Sequence, residues 1–153
     1  MRRLKIDVLT NLYPPDVLGG YELLTRDVVH GLVDRGHTVH VLTTGAGSGE
    51  PGVTRSLRLA RRFGEAPRAD RVRHLVAAIR NRISVRRHLR RAGRPDVLLV
   101  MSQRRLGLEP LREFHRAGVP VMATVNDDWP AAYGAPRRGA PWLRALERRL
   151  TAF

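Results

Sequence analysis

The chain has 153 residues, 42% hydrophobic and 27% charged, with no cysteine. That balance suits one folded domain with its own core, and it excludes a globally disordered chain, a disulfide scaffold and thiolate metal sites. The formal charge is +14 and unevenly placed: fourteen arginines lie between Arg55 and Arg94 against two carboxylates, Glu65 and Asp70, a net of +12 for that segment. Such a cluster needs an anionic partner or a well-solvated face. No run of about 18 apolar residues is present to span a membrane as a helix. The first ten residues, MRRLKIDVLT, are interrupted by Lys5 and Asp7 and carry no small-residue cleavage site. They read as a strand and not as a signal peptide, so a cytoplasmic protein is expected.

Taken in order, Leu4 to Thr10 (LKIDVLT) predicts a buried strand. Asn11 to Glu22 (NLYPPDVLGGYE) follows as a loop in which Pro14 and Pro15 fix direction and Gly19 and Gly20 turn the chain into a helix. Glu22 to Arg35 has Leu23, Leu24, Val28, Leu32 and Val33 at helical spacing, with Gly36 as its stop. Thr38 to Thr43 predicts a second strand, completing a βαβ unit with parallel strands. Thr44 to Pro51 is a Gly-rich loop, expected to be mobile, and a weak strand follows near Val53 to Leu59. Arg68 to Ala92 predicts a long helix with Val72, Val76, Ile79 and Ile83 as one apolar stripe, Leu75 and Leu89 beside it, and arginines over much of the rest. Gly93 and Pro95 end it. Asp96 to Met101 is the most apolar strand and the expected centre of the sheet. Leu106 to Ala117 predicts a helix, Val119 to Val125 a strand, and Trp142 to Leu150 a last helix. Alternating strands and helices imply an α/β fold, a Rossmann-like, mostly parallel sheet with helices on both faces, in one domain spanning 1–153. Ligands of such folds bind outside the carboxyl ends of the strands. The loops after Thr10 and after Val125 meet that condition.

The chemistry narrows by exclusion. A nicotinamide fingerprint would place G-x-G-x-x-G after the first strand and an acid after the second. Here the first loop has only Gly19-Gly20, and the second strand ends in Thr43-Thr44. Gly45, Gly47 and Gly49 follow the wrong strand and open no helix. No Walker sequence and no G-x-S-x-G elbow is present. The histidines His30, His37, His40, His74, His88 and His115 show no metal-ligand spacing and read as ordinary surface or boundary residues. Two candidates remain. Gly19-Gly20 at a helix start suits an anion, or is a loop that simply turns. Asn126-Asp127-Asp128-Trp129 offers carboxylates for sugar hydroxyls, with Trp129 and Tyr133 for stacking, or is a capped turn.

The run NLYPPDVLGGYELLTRDVVHGLVDRGHTVHVLT closely resembles the start of the family 4 glycosyltransferases, which have the two-domain GT-B fold. The resemblance is carried by Tyr13-Pro14-Pro15, by Gly19-Gly20 with Glu22, and by Arg35-Gly36-His37, a combination more specific than any one part. The stretch Pro120 to Trp129 looks like that family's later strand, which often ends in His-Asp; Asn126 stands at the histidine position and cannot act as a base at neutral pH. The resemblance implies an N-terminal, acceptor-side domain of an enzyme that transfers a sugar from a nucleotide-sugar to a glycan or lipid-linked acceptor. It implies Gly19 and Gly20 on the donor-phosphate side, Asp127 as a substrate-orienting residue, and Tyr13, Glu22, Asn126, Asp128 and Trp129 around the acceptor. No metal and no tightly bound cofactor are implied, the nucleotide-sugar being a substrate. The C-terminal donor-binding domain of such enzymes is expected to be absent from this chain. The chain is therefore expected to be inactive alone, as a fragment, a truncated reading frame or half of a two-chain enzyme.

The basic helix Arg68 to Ala92 suits an anionic membrane surface, on the inner face of a membrane, or is a packed helix with a solvated outer face. Nucleic-acid binding is disfavoured, because Phe63 is the only aromatic between Arg55 and Arg94. A non-catalytic remnant, or a basic domain for membrane or nucleic acid, is the alternative to the enzyme reading.

Overall fold

A computed structural model of the chain describes residues 2–47, 50–60, 71–103 and 105–125. The β-branched and apolar segments form short strands, and the periodic segments between them form helices. The order is β1 (Lys5–Leu9), α1 (Gly20–Asp34), β2 (Thr38–Leu42), β3 (Val53–Thr54), α2 (Arg71–Ala92), β4 (Val97–Val100), α3 (Glu109–Arg116) and β5 (Val121–Ala123). The strands make one parallel sheet of order β3-β2-β1-β4-β5, the α/β Rossmann-like arrangement expected from the sequence. β1 is its centre, pairing Ile6 with Val39 of β2 and with Val97 of β4. The more apolar β4 lies one place out, because an apolar run reports burial on both faces and not rank in the sheet. The predicted helix at Trp142 to Leu150 lies outside the described residues.

Alternation along β1 divides the core in two. Ile6 and Val8 point into a cluster with Val29 of α1, Tyr13, Val41 and Met101. Leu9 points the other way, into a cluster with Val85 of α2, Phe114 of α3, Leu42 and Leu98. One face is thus covered by α1 and the other by α2 and α3. Gly36 ends α1 as a full Schellman stop. Its φ is +83°, its N–H donates to the Val33 carbonyl at 2.8 Å, and the His37 N–H donates to the Leu32 carbonyl at 3.1 Å. His37 Nδ1 then accepts the Leu4 N–H at 3.2 Å, fastening the start of β1. In the Arg35-Gly36-His37 signature, Gly36 and His37 are therefore structural devices, a helix stop and a strand fastening.

Both long helices turn differently from their apolar spacing. In α1, Leu23, Leu24 and Val33 are exposed, while Glu22, Thr25 and Val29 are buried. In α2 the stripe of Val72, Val76, Ile79 and Ile83 faces outward, 67%, 43%, 45% and 41% exposed. The buried face is Ala77, Asn81, Val85 and His88, which is half polar and so hidden from a hydrophobicity pattern. Each polar member has partners. Asn81 Oδ1 accepts the Arg58 N–H at 2.7 Å, and its amide donates to the carbonyls of Arg58 and Leu106, both at 2.9 Å. His88 Nε2 lies 2.7 Å from Asp7 Oδ2, in the middle of β1, with both side chains buried. The His88 ring also stands 4.6 Å from that of His40, whose Nε2 is 2.8 Å from Thr54 Oγ1. Burial first, then the neighbouring His88, lowers the His40 ring below the ordinary histidine range. His88 is thus a buried partner of Asp7 and not the surface residue expected.

Part of the arginine excess is also accounted for. Arg82 and Arg86 of α2 and Arg116 of α3 converge on the buried carboxylate of Glu113, with Arg82 Nε at 3.2 Å. Removing one member of a buried, paired set leaves the other without water or partner, at a cost of about 3–5 kcal/mol. We predict that His88→Leu will lose roughly that much stability in urea unfolding, because the Asp7 carboxylate is then stranded. The double variant Asp7→Leu with His88→Leu should recover a large part of the loss. A single variant within about 0.5 kcal/mol of the parent would show that the buried His88–Asp7 contact contributes little to stability.

Candidate functional site

The sheet order reverses at β1, so the carboxyl ends of β1 and β4 flank the position where α/β folds bind ligands. Asn11, just past β1, ties that point together. Its amide donates to Ser102 Oγ beyond β4 at 2.6 Å, and its carbonyl accepts the Thr44 hydroxyl at 2.6 Å and the Thr44 N–H at 3.3 Å. The loop after β2, expected to be mobile, is therefore tied to the loop after β1 at Thr44.

The opening loop is held in shape by one guanidinium. Arg55, directly after β3, has a side chain only 8% exposed. Its Nη1 donates to the Tyr13 carbonyl at 3.0 Å and the Thr44 carbonyl at 3.4 Å, and its Nη2 donates to the Pro14 carbonyl. Asp16 Oδ2 balances the charge at 3.6 Å. Between these residues the Pro14-Pro15 peptide is cis. Gly45 and Gly47 make room for the clamp. A Cβ on Gly45 would stand 2.0 Å from Asp16 Oδ2, and one on Gly47 2.8 Å from Arg55 Nε. Nothing in the sequence separates Arg55 from the other arginines of its cluster; only the fold brings it under the loop.

The loop then enters α1 through Gly19 and Gly20. Glu22 Oε2 accepts the N–H groups of Leu18 at 3.3 Å and Gly19 at 3.0 Å. This is half of a capping box, since glycine has no side chain to answer it. Gly20 opens the helix, where a backbone N–H has no intrahelical acceptor and the dipole is positive. Gly19 has φ −174°, extended backbone open to any residue, and a Cβ on either glycine would meet nothing within 4 Å. Neither glycine is demanded by backbone conformation or crowding.

A cleft of about 720 Å³ lies beside this loop, between it, the loop after β2 and the first turns of α2. Leu12, Val17, Leu18, Leu57 and Val76 give it apolar walls, and Arg58, Arg73 and Arg80 face it. Arg58 and Arg80 are both exposed. Neither forms an ion pair with a carboxylate of the described residues. No group of three or more His, Cys, Asp or Glu suited to a metal is found among the described residues.

The expected site residues therefore divide. Gly19 and Gly20 sit on the rim of the opening loop, in open space. Tyr13, expected around the acceptor, is 1% exposed and clusters with Ile6, Val8 and Val29 in the core. Burial first, with the Glu50 carboxylate second, pushes its phenol above the usual range. Glu22, also expected around the acceptor, is buried and its carboxylate accepts the loop amides of Leu18 and Gly19. Asn126, Asp127, Asp128 and Trp129, and Tyr133 beyond them, lie outside the described residues.

The sequence model for glycosyltransferase family 4 matches residues 18–153. This chain belongs to glycosyltransferase family 4. A comparison with curated proteins finds no match to it. The family match takes in Gly19, Gly20 and the three arginines of the cleft, and begins just after the Arg55-bound carbonyls of Tyr13 and Pro14. In this family 4 domain the opening loop is held to the loop after β2 by the Arg55 contacts. We predict that Arg55→Met, which keeps length but removes every donor, will lower stability by about 2–4 kcal/mol, because buried carbonyls lose their partners. It should also open the loop after Leu12 to proteolysis. A variant with parental stability and parental cleavage rate would show that the clamp is dispensable.

Proposed function

We propose that the chain is the acceptor-side domain of a glycosyltransferase, working with a donor-binding domain that presents a nucleotide-sugar across the opening loop. The observation that supports this most is the bare backbone at Gly19 and Gly20. The fold has no steric or conformational need of glycine at either position, yet both stand where a helix start meets open space at the carboxyl end of β1. Close approach of an anionic ligand is a physical reason for leaving that backbone uncovered. As the bond between sugar and nucleotide breaks, negative charge grows on the departing phosphate. The Gly20 amide and the positive end of α1 are oriented to stabilise it. The Gly19 amide is held by Glu22 in this conformation, so Glu22 sets the loop's shape while Gly20 faces the ligand. The acceptor lies in the adjoining cleft, and Asp127 orients it.

Joined to a donor-binding domain, Gly20→Val should lower kcat/KM for sugar transfer by about 10²-fold, the usual effect of losing one oxyanion contact. Its unfolding midpoint should be unchanged or slightly raised, since the new side chain meets no atom and the unfolded chain loses freedom. Full transfer activity in both Gly19→Val and Gly20→Val would remove the phosphate-facing role.

A second reading concerns location, and the outward stripe of α2 favours it. Val72, Val76, Ile79 and Ile83 are exposed, and Arg80, Arg87 and Arg90 beside them form no ion pair with a described carboxylate. No described helix is long and apolar enough to cross a membrane. We propose that this face rests on an anionic leaflet, each arginine near the surface contributing ~1 kcal/mol. Co-sedimentation with phosphatidylserine-containing vesicles should be strong at low salt and fall as salt is added. Equal binding to neutral vesicles would exclude it.

A further inference from the structure

Three titratable side chains meet beneath α2, and sugar transfer calls on none of them. Asp7 and His40 are register partners on β1 and β2, so both point to the face of the sheet that α2 covers. His88 of α2 closes the set, with Nε2 2.7 Å from Asp7 Oδ2 and its ring 4.6 Å from that of His40. Asp7 and His88 are buried, whereas His40 is half-buried and rests on the Thr54 hydroxyl of β3. A proton from solvent therefore enters the set at His40. The charged and titratable groups that act on His40 are His88 of α2, then Asp7 and Lys5 of β1. Lys5 Nζ is itself engaged with α2, donating to the Ala92 and Gly93 carbonyls at its end.

The set holds two imidazoles and one carboxylate. With one imidazolium the charges cancel. A second has no carboxylate to answer it and stands beside a like charge. The other oxygen of the carboxylate, Asp7 Oδ1, is buried without a hydrogen-bond partner, so no ring nitrogen reaches it in this arrangement. Pairing a second cation there requires a ring to move. Seven residues before His88, on the same inner face of α2, Asn81 holds the N–H and the carbonyl of Arg58. The first turns of α2 supply Arg73, Val76, Ala77 and Arg80 to the cleft. A change in the seating of α2 is thus a change in the cleft wall.

We propose that Asp7, His88 and His40 form an acid-sensitive latch, in which a second proton releases α2 from β1 and β2 and opens the wall of the cleft. The latch belongs to the fold and holds whatever the cleft binds. Burial, then the neighbouring His88, lowers the His40 ring below the ordinary histidine range. Released, the ring takes its proton near the ordinary value of about 6.5; seated, it does so only at lower pH. The latch is therefore closed above about pH 6.5 and loosens as pH falls, with the ratio of seated to released states dropping by up to about tenfold per pH unit.

Hydrogen–deuterium exchange of the chain at about pH 7.5 and about pH 5.5, corrected for intrinsic rate, tests the latch. Protection of α2, and of residues 53–60 where Asn81 holds the Arg58 N–H, should fall about tenfold at the lower pH, while α1 keeps its protection. His40→Asn retains a polar partner for Thr54 and takes no proton, so its α2 should stay protected at both pH values. His30→Asn, at an exposed histidine of α1, should respond as the parent does. In the parent, a histidine NMR titration should place His40 below His30, with the α2 transition following His40. Equal loss of protection in α1 and α2 would overturn the proposal, because the acid response is then global unfolding. So would a full α2 response in His40→Asn, unchanged α2 protection between the two pH values, or an α2 transition that follows His30.

Discussion

One buried guanidinium sets the shape of the loops after β1 and β2. Arg55 gathers the carbonyls of Tyr13, Pro14 and Thr44 and the carboxylate of Asp16, and so binds the loop after β1 to the loop after β2. A cation in a nearly closed site is tolerable only when its donors are satisfied. Here the chain supplies backbone oxygens for most of them and one carboxylate for the charge. The consequence runs outward. With Tyr13 and Asp16 fixed, Leu12, Val17 and Leu18 become a wall of the cleft, and Gly19 and Gly20 become its rim. Gly45 and Gly47 belong to the same device, because side chains there would occupy the space of Asp16 and Arg55.

A second constraint is polar and lies behind the sheet. α2 meets β1 and the loops through Ala77, Asn81, Val85 and His88, so half of its inner face is hydrogen-bonding. Apolar packing is non-directional and would let a helix slide or rotate; Asn81 against Arg58 and Leu106, and His88 against Asp7, fix one rotation and one register. That rotation is what turns the four aliphatic residues of the stripe outward. The polar interior and the apolar exterior of α2 are therefore a single fact about how the helix is seated.

These two constraints explain what the sequence discloses and what it conceals. Strand and helix types are legible because β-branched runs and helical spacing are local properties, and Gly36 with Gly118 stops two helices at sites readable from the chain. The parallel sheet follows from the alternation. Strand rank does not, since β1 and β4 are both apolar strands packed within the sheet and only their pairing decides which is central. The seating of α2 is illegible for a sharper reason. Its stripe is a good core pattern by spacing, and the residues that do enter the core include Asn81 and His88, which any hydropathy rule sends to the surface. In the site, Gly19 and Gly20 are visible as a break before a helix. Tyr13 and Glu22 are visible too, but sequence cannot show that one ring fills the core and one carboxylate caps the loop. Arg55, Arg58 and Arg80 are lost among the arginines around them, because their distinction is purely one of place.

The arginine cluster thus has several homes and not one. Arg82 and Arg86 neutralise Glu113 and join α2 to α3, so they serve the fold. Arg55 serves the loop. Arg58, Arg80, Arg87 and Arg90 have no ion-pair partner among the described carboxylates and lie on or beside the face that carries the cleft and the stripe. If the charge were only a solubilising coat, the residue set among these arginines would be polar. It is instead four aliphatic side chains in line with the cleft wall at Val76. Water gains nothing from that arrangement, whereas a ligand or surface that is anionic at one point and apolar at the next is complementary to it.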